Sequence, residues 1–208
     1  MARGKGSSHR WRERQARDPY VDRAAREGWR SRAAFKLIEI DRSERLLWRG
    51  AVVVDLGAAP GGWSQVAARK LGLQGRVVAI DCLPMSPIEG VDFIEADFLS
   101  DAGLEALRER VGDRAVDLVM SDLAPNISGN RAVDQPRSIG LAEAAALFAA
   151  EVLKPGGALL TKLFQGEGQT GLELELKRRF ARLKRLKPKA SRPESREIYL
   201  LARNFRMV

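Results

Sequence analysis

A run of small residues, Asp55-Leu56-Gly57-Ala58-Ala59-Pro60-Gly61-Gly62-Trp63, follows a hydrophobic stretch and precedes a helical pattern. Where a strand hands over to a helix, glycines such as Gly57 and Gly61 let a ligand approach the backbone, and the first helical turn offers N–H groups that the helix itself does not use. The run contains neither G-x-x-x-x-G-K-[ST] nor G-x-G-x-x-G, so its spacing favours a nucleoside held without a phosphate. Two carboxylates are placed to complete such a site. Asp81 ends the next apolar run, where an acceptor suits the two hydroxyls of a ribose. Asp97 follows the run after that, in Glu95-Ala96-Asp97-Phe98, where it could accept from an adenine amino group while Phe98 packs nearby. Either Asp alone could equally cap a loop or a helix. Their joint placement after successive strands is what points to a ligand. Lys162 is the other chemical signal, because it interrupts the apolar run 158–164, and a lysine there sits at an edge or has a purpose.

The elements that must position these residues follow a parallel α/β rhythm. Strands are predicted at 51–56, 76–80, 91–94, 116–121 and 158–163, with helices at 63–71, 104–111, 138–153 and 172–180 between or after them. Lys154-Pro155-Gly156-Gly157 supplies a stop and turn before the fifth strand. Two final runs, 181–186 and 197–202, predict an antiparallel excursion at the sheet edge. The fold class is therefore α/β, a doubly wound, mostly parallel Rossmann-like sheet with an antiparallel edge strand. Upstream, a helix N-capped by Ser31 and running toward 46–48 carries Lys36. The organisation reads as a basic mobile arm over 1–16, a helical extension over 17–49 and the main domain over 50–208. A second glycine run, Gly166-Glu167-Gly168-Gln169-Thr170-Gly171, does match G-x-G-x-x-G. It follows the fifth strand instead of the first, and 177–189 offers no acidic residue to hold a ribose, so it reads as a flexible loop beside an active site.

Charge is divided unevenly along the 208 residues, whose formal net charge is +9. Residues 1–49 carry 14 basic and 7 acidic side chains, 50–176 carry 10 and 18, and 177–208 carry 12 and 2. An acidic body between two basic ends suggests a ligand-binding core with polyanion-binding flanks, since clustered Lys and Arg gain affinity for phosphates by releasing counterions. Trp11, Tyr20 and Trp29 among the N-terminal arginines could stack on bases or pack on the body. One histidine and one cysteine, Cys82, build neither a disulfide nor a zinc site of common spacing, so no metal is expected. No apolar stretch reaches the ~18 residues of a membrane span, and no signal core follows the N-terminus, which predicts a cytoplasmic protein without a membrane partner.

Taken together, the chain resembles the FtsJ/RrmJ family of bacterial large-subunit ribosomal RNA methyltransferases. The resemblance rests on Arg30-Ser31-Arg32-Ala33-Ala34-Phe35-Lys36-Leu37, residues 55–65, Leu83-Pro84-Met85, Ser121-Asp122-Leu123-Ala124-Pro125-Asn126, Lys162-Leu163-Phe164-Gln165-Gly166 and Ser195-Arg196-Glu197-Ile198-Tyr199. It implies S-adenosylmethionine as cofactor and the 2′-hydroxyl of a uridine in 23S ribosomal RNA as acceptor, in the 50S subunit, with the enzyme acting as a monomer. It also implies a Lys-Asp-Lys-Glu catalytic set at Lys36, Asp122, Lys162 and Glu197. The implied cofactor contacts fall on Gly61, Trp63, Asp81, Asp97 and Asp122, alongside Gly57 of the glycine turn. Cys82 departs from the family pattern, which carries an apolar residue before Leu-Pro-Met; a small thiol is compatible with that position.

Methyl transfer to a ribose oxygen is an in-line displacement in which the enzyme mostly positions the reactants. The acceptor hydroxyl is a poor nucleophile, so a group that removes or steers its proton contributes roughly 10²–10⁴-fold. Lys162 could act as the proton acceptor, or as a charged donor that aims an oxygen lone pair at the methyl group; the sequence leaves both open. Carbon methylation of pyrimidines commonly needs a cysteine nucleophile, and Cys82 lies beside the proposed cofactor site instead. Two other classes fit parts of the pattern: a non-catalytic RNA-binding ribosome-assembly factor, which the Lys-Asp-Lys-Glu set argues against, and a small-molecule O-methyltransferase, which leaves the basic ends unexplained.

Overall fold

The computed structural model describes residues 18–113 and 115–207. The arm expected over 1–16 lies outside the described residues. Two helices, α1 (Pro19–Glu27) and α2 (Ala33–Glu44), precede β1 (Val52–Leu56), α3 (Gly62–Leu71), β2 (Arg76–Asp81), β3 (Val91–Glu95), α4 (Asp101–Val111) and β4 (Val116–Ser121). Then follow α5 (Arg131–Val152), β5 (Leu153–Phe164), α6 (Gln169–Arg179), β6 (Phe180–Leu186) and β7 (Glu197–Phe205). The seven strands form one sheet in the order β3-β2-β1-β4-β5-β7-β6. β1 to β5 pair in parallel, while β7 runs antiparallel to both β5 and β6, as the two final apolar runs predict.

Hydrophobic side chains cover both faces. On one face Leu107, Ile139, Phe148, Leu172 and Leu176 of α4, α5 and α6 bury Val54, Ile80, Val119 and Leu159. On the other, Ala34, Leu37 and Ile40 of α2 and Val66, Ala67 and Leu71 of α3 bury Val53, Val77, Leu118 and Leu160. α2 thus shares the core of the sheet. Strand order reverses between β1 and β4, so a crevice opens at their C-terminal ends, the usual ligand position in a doubly wound sheet.

Several element boundaries differ from expectation for identifiable reasons. α1 begins at Pro19, where the Asp18 side chain accepts from the Tyr20 N–H at 3.1 Å, and stops at Gly28 with φ 70°. Ser31 does not cap α2; Arg32 occupies that place, and Ser31 Oγ is buried where a Cβ on Gly62 would meet it at 2.3 Å. α2 stops at Glu44, short of 46–48, because buried Asp41 takes the N–H groups of Leu46 and Leu47 at 2.9 and 2.8 Å and turns the chain toward β1. α5 starts seven residues before Ser138, at Arg131. Its first turn is held by Asn130 and by Asp134, which collects Ser128 and Gly129 N–H groups, so Pro136 is carried inside the helix. β5 begins at Leu153, paired with Val116, and the turn residues lie at a register shift within it. Among the described residues no helix is long and apolar enough to cross a membrane.

Candidate active site

The glycine turn leaves β1 through backbone bonds to its neighbours: Gly57 and Ala58 N–H groups both donate to the Ile80 carbonyl, at 2.9 and 3.2 Å. Gly57 has φ 78°, and a Cβ there would lie 2.8 Å from Leu123, so the β1 and β4 loops approach closely only because this residue is glycine. Gly61 has φ 106°, and its missing Cβ leaves room for Met85 and Ile88. Arg30 fixes that neighbouring loop by donating to the carbonyls of Ser86 and Pro87 at 2.6 and 2.7 Å.

A cavity of about 760 Å³ lies beyond the ends of β2, β3 and β4, lined by Asp81, Cys82, Asp97, Phe98, Asn126 and Arg137 among others. Asp81 Oδ2 accepts from Ala59 N at 2.9 Å and Oδ1 from Leu83 N at 2.8 Å. Each oxygen therefore keeps a lone pair, and the carboxylate is fixed from two sides. Asp97 Oδ1 likewise accepts from Leu99 N at 2.9 Å and retains capacity for a donor. Two rigid acceptors on one largely apolar cavity fit the hydroxyls and amino group of a nucleoside. Gly57, Gly61 and Trp63 are not on the cavity wall. Trp63 is buried with its indole N–H on the Ala33 carbonyl at 2.9 Å and its ring 5.6 Å from that of Tyr199, so toward a ligand it offers only backbone from the first turn of α3.

A second cavity, about 260 Å³, lies on the other side of the β4 loop, which contributes Ala124 to both. Lys36, Lys162, Phe164 and Glu197 line it. At the smaller cavity the structure brings all four residues of the Lys-Asp-Lys-Glu set together, three on its wall and Asp122, which lines neither cavity, bonded to Lys162. Lys162, only 6 % exposed, reaches the Asp122 carbonyl at 2.5 Å and its Oδ1 at 3.0 Å. Lys36 pairs with Glu197 Oε1 at 2.6 Å. The pairing β5 with β7 sets Lys162 opposite Tyr199 and Phe164 opposite Glu197, which explains how a remote C-terminal strand supplies the fourth member.

Tyr199 joins the two ion pairs, a role that sequence reasoning missed although the residue lies in one of the matching segments. Its hydroxyl stands 2.7 Å from Asp122 Oδ1 and 3.3 Å from Glu197 Oε1, and Ser191 Oγ donates to the same Glu197 oxygen at 2.9 Å. Burial and the two facing carboxylates push the phenol well above its ordinary value. Burial alone would raise the Asp122 carboxyl; the charges of Lys162 and Lys36 and the bonds from Tyr199 and Lys162 outweigh it and leave the group below its ordinary value. Beneath this site Asp55 is fully buried, with Ser64 Oγ on Oδ2 at 2.6 Å and no partner for Oδ1. The second glycine run is tied down instead of lying loose: Gly168 caps α6, and Gln135 Nε2 donates to the Glu167 carbonyl at 2.6 Å.

A doubly wound sheet with an antiparallel strand inserted beside β5, and acidic residues closing β2 and β3 over one cavity, defines a Rossmann-like α/β methyltransferase. The model of the FtsJ-like methyltransferase family matches residues 29–205, and the chain belongs to that family. Two relatives named ribosomal RNA large subunit methyltransferase E are each 56 % identical. The one from Rhodopseudomonas palustris strain TIE-1 aligns over 98 % of this chain and 87 % of its own length, and that from Halorhodospira halophila over 92 % and 91 %. The crystal structure of a ribosomal RNA methyltransferase from Plasmodium falciparum is 32 % identical, with a TM-score of 0.77 over 85 % of this chain and 98 % of that one. An rRNA-methylase structure from Clostridium thermocellum, 18 % identical with a TM-score of 0.55 over 82 % and 97 %, shares the fold. Among the described residues no group of three or more His, Cys, Asp or Glu is placed to hold a metal ion.

Proposed function

We propose that this chain transfers a methyl group from S-adenosylmethionine to the ribose 2′-hydroxyl of a uridine in large-subunit ribosomal RNA, acting on the 50S subunit in the cytoplasm. The observation that carries the reading is the pair of cavities flanking the β4 loop, one lined by Asp81 and Asp97 and the other by Lys36, Lys162 and Glu197, with Asp122 of that loop bonded to Lys162. In the larger one Asp81 would hold the ribose of the cofactor and Asp97 its adenine. When bound, the cofactor supplies an activated methyl group on a sulfonium. The protein's own task is then to place an oxygen in line with that methyl group and to handle its proton.

The smaller cavity suits the acceptor. Two of the three donors on the Lys162 ammonium go to Asp122, and the third is left for the acceptor oxygen. A carboxylate kept charged 3.0 Å from Lys162 supports the orienting role over that of proton acceptor. Lys36 and Glu197 form the opposite wall, with the Tyr199 hydroxyl held between the Asp122 and Glu197 carboxylates and closer to Asp122. The names of the relatives support ribosomal RNA as the substrate, and the basic flanks support a polyanion.

The test uses methyl-labelled S-adenosylmethionine with large ribosomal subunits and, separately, bare ribosomal RNA, followed by alkaline digestion. A methylated 2′-oxygen cannot attack its neighbouring phosphate, so label in alkali-resistant dinucleotides is expected. Label in ordinary mononucleotides would mean base methylation and would overturn the acceptor. Subunits labelled in preference to bare RNA would support the assembled substrate; the reverse would remove it.

A further inference from the structure

The smaller cavity carries more positive charge than a neutral hydroxyl needs. Arg32, Lys36, Lys162 and Arg192 line it, against the carboxylate of Glu197. Lys36 and Lys162 are each paired with a carboxylate of the catalytic network. The two arginines share one carboxylate, that of Asp18. Arg32 donates through Nη1 to Asp18 Oδ2 and through Nη2 to the Ala190 carbonyl. Arg192 reaches the same Asp18 oxygen with Nε and Nη2, both at 3.4 Å, near the limit of a hydrogen bond. One negative charge therefore serves two guanidinium groups, and Arg192 is the loosely held member, 29 % exposed.

The arrangement is built from behind. Asp18 is buried, and its other oxygen caps α1, so the position of the counter-charge is set by the helix start and not by the cavity. A planar guanidinium with parallel donors matches phosphate oxygens, and surplus positive charge at a partly open cavity favours an anion. Beside a site that takes a ribose, the anion of matching chemistry is a backbone phosphodiester.

We propose that Arg32 and Arg192 form the seat of the phosphodiester adjoining the acceptor ribose, and that Asp18 holds Arg192 in reserve until that phosphate replaces it. Arg32 stays on Asp18 and Ala190 and contributes its charge to the cavity wall. The proposal rests on the reading that the acceptor is an RNA ribose. It adds the feature that separates a nucleotide within a polynucleotide from a free nucleoside.

Methylation kinetics of wild type, Arg192→Gln and Asp18→Asn on large ribosomal subunits over a range of salt test it. Losing one charged contact in R192Q is expected to raise KM for the subunit roughly tenfold. It should also make log KM against log salt shallower by about one phosphate contact, while kcat at saturation and cofactor affinity stay unchanged. D18N keeps an oxygen to cap α1 and removes the competing charge, so its KM is expected to fall, whereas a purely structural ion pair would give a KM that rises. R192Q with the wild-type KM and salt slope, or D18N with a raised KM, overturns the proposal. If D18N does not fold, the salt slope of R192Q decides alone. Wild type that methylates no ribose would remove the functional reading itself; an active wild type with an indifferent R192Q removes only the phosphate seat.

Discussion

Asp55 should make the protein less stable as pH rises toward neutrality, the reverse of what an ion-paired carboxylate does. Burial, with the charges of Asp122 and Asp81 adding to it against the Ser64 hydrogen bonds, pushes the carboxyl from 3.8 up to about 7. A raised folded-state value means that the native chain holds a proton which the unfolded chain has already released. Stability from this group is therefore intact below the unfolded value, is lost progressively between about pH 4 and about pH 7, and stays lost above. A shift of roughly three units at ~1.4 kcal/mol each sets a ceiling of about 4 kcal/mol. Asp55→Asn keeps the shape and an acceptor for Ser64 but cannot ionise. Urea unfolding of both proteins from about pH 5 to about pH 8 should give curves that separate up to about pH 7, with the variant gaining on wild type, and that run parallel above it. Curves parallel over the whole range would refute the reasoning. Such a cost, placed under a ligand cavity and beside two further carboxylates, is typical of groups retained for a site's chemistry.

Tyr199→Phe removes the bond to Asp122, and a buried hydrogen bond to a charged group is worth about 1.5–3 kcal/mol. The Asp122 carboxyl should rise toward its ordinary range, so the acid limb of the kcat/KM profile moves to higher pH; an unmoved limb would sever Tyr199 from the network. Asp81→Asn, which keeps an acceptor for only one of the Ala59 and Leu83 N–H groups and removes the charge, should weaken cofactor binding by roughly tenfold in calorimetry, and unchanged affinity would remove Asp81 from the site. Deleting residues 1–16 should lower RNA affinity and its salt slope more than cofactor affinity; equal losses would make that segment part of the fold.

The sheet was legible because β1, β2, β4 and the 158–164 part of β5 are short, mostly apolar runs separated by turn signals, the pattern that buried parallel strands demand. The placement of Asp81 and Lys162 near strand ends followed from the same runs, and that of Asp97 from the run of β3. α1 falls within the helical extension read over 17–49, but the sequence does not delimit it, because its one buried residue is Ala24, too little to mark a periodic face, and only Asp18-Pro19 announces its start. The start of α5 was hidden by Pro136, which reads as a breaker until the Asn130 and Asp134 contacts are seen. Tyr199 lies in a strand whose apolar run makes any aromatic look like core, and its hydroxyl contacts depend on the antiparallel register with β5. The Asp18–Arg192 contact spans 174 residues, and no local pattern encodes it.

The central claim is that Lys162, held by Asp122 at the smaller cavity, acts on the acceptor and not on the cofactor. Single-turnover methylation by Lys162→Ala with saturating S-adenosylmethionine and large ribosomal subunits, alongside calorimetric cofactor binding, addresses it directly. Methyl transfer is predicted to be abolished while cofactor affinity stays near that of wild type. A variant that transfers methyl at the wild-type rate would contradict the account.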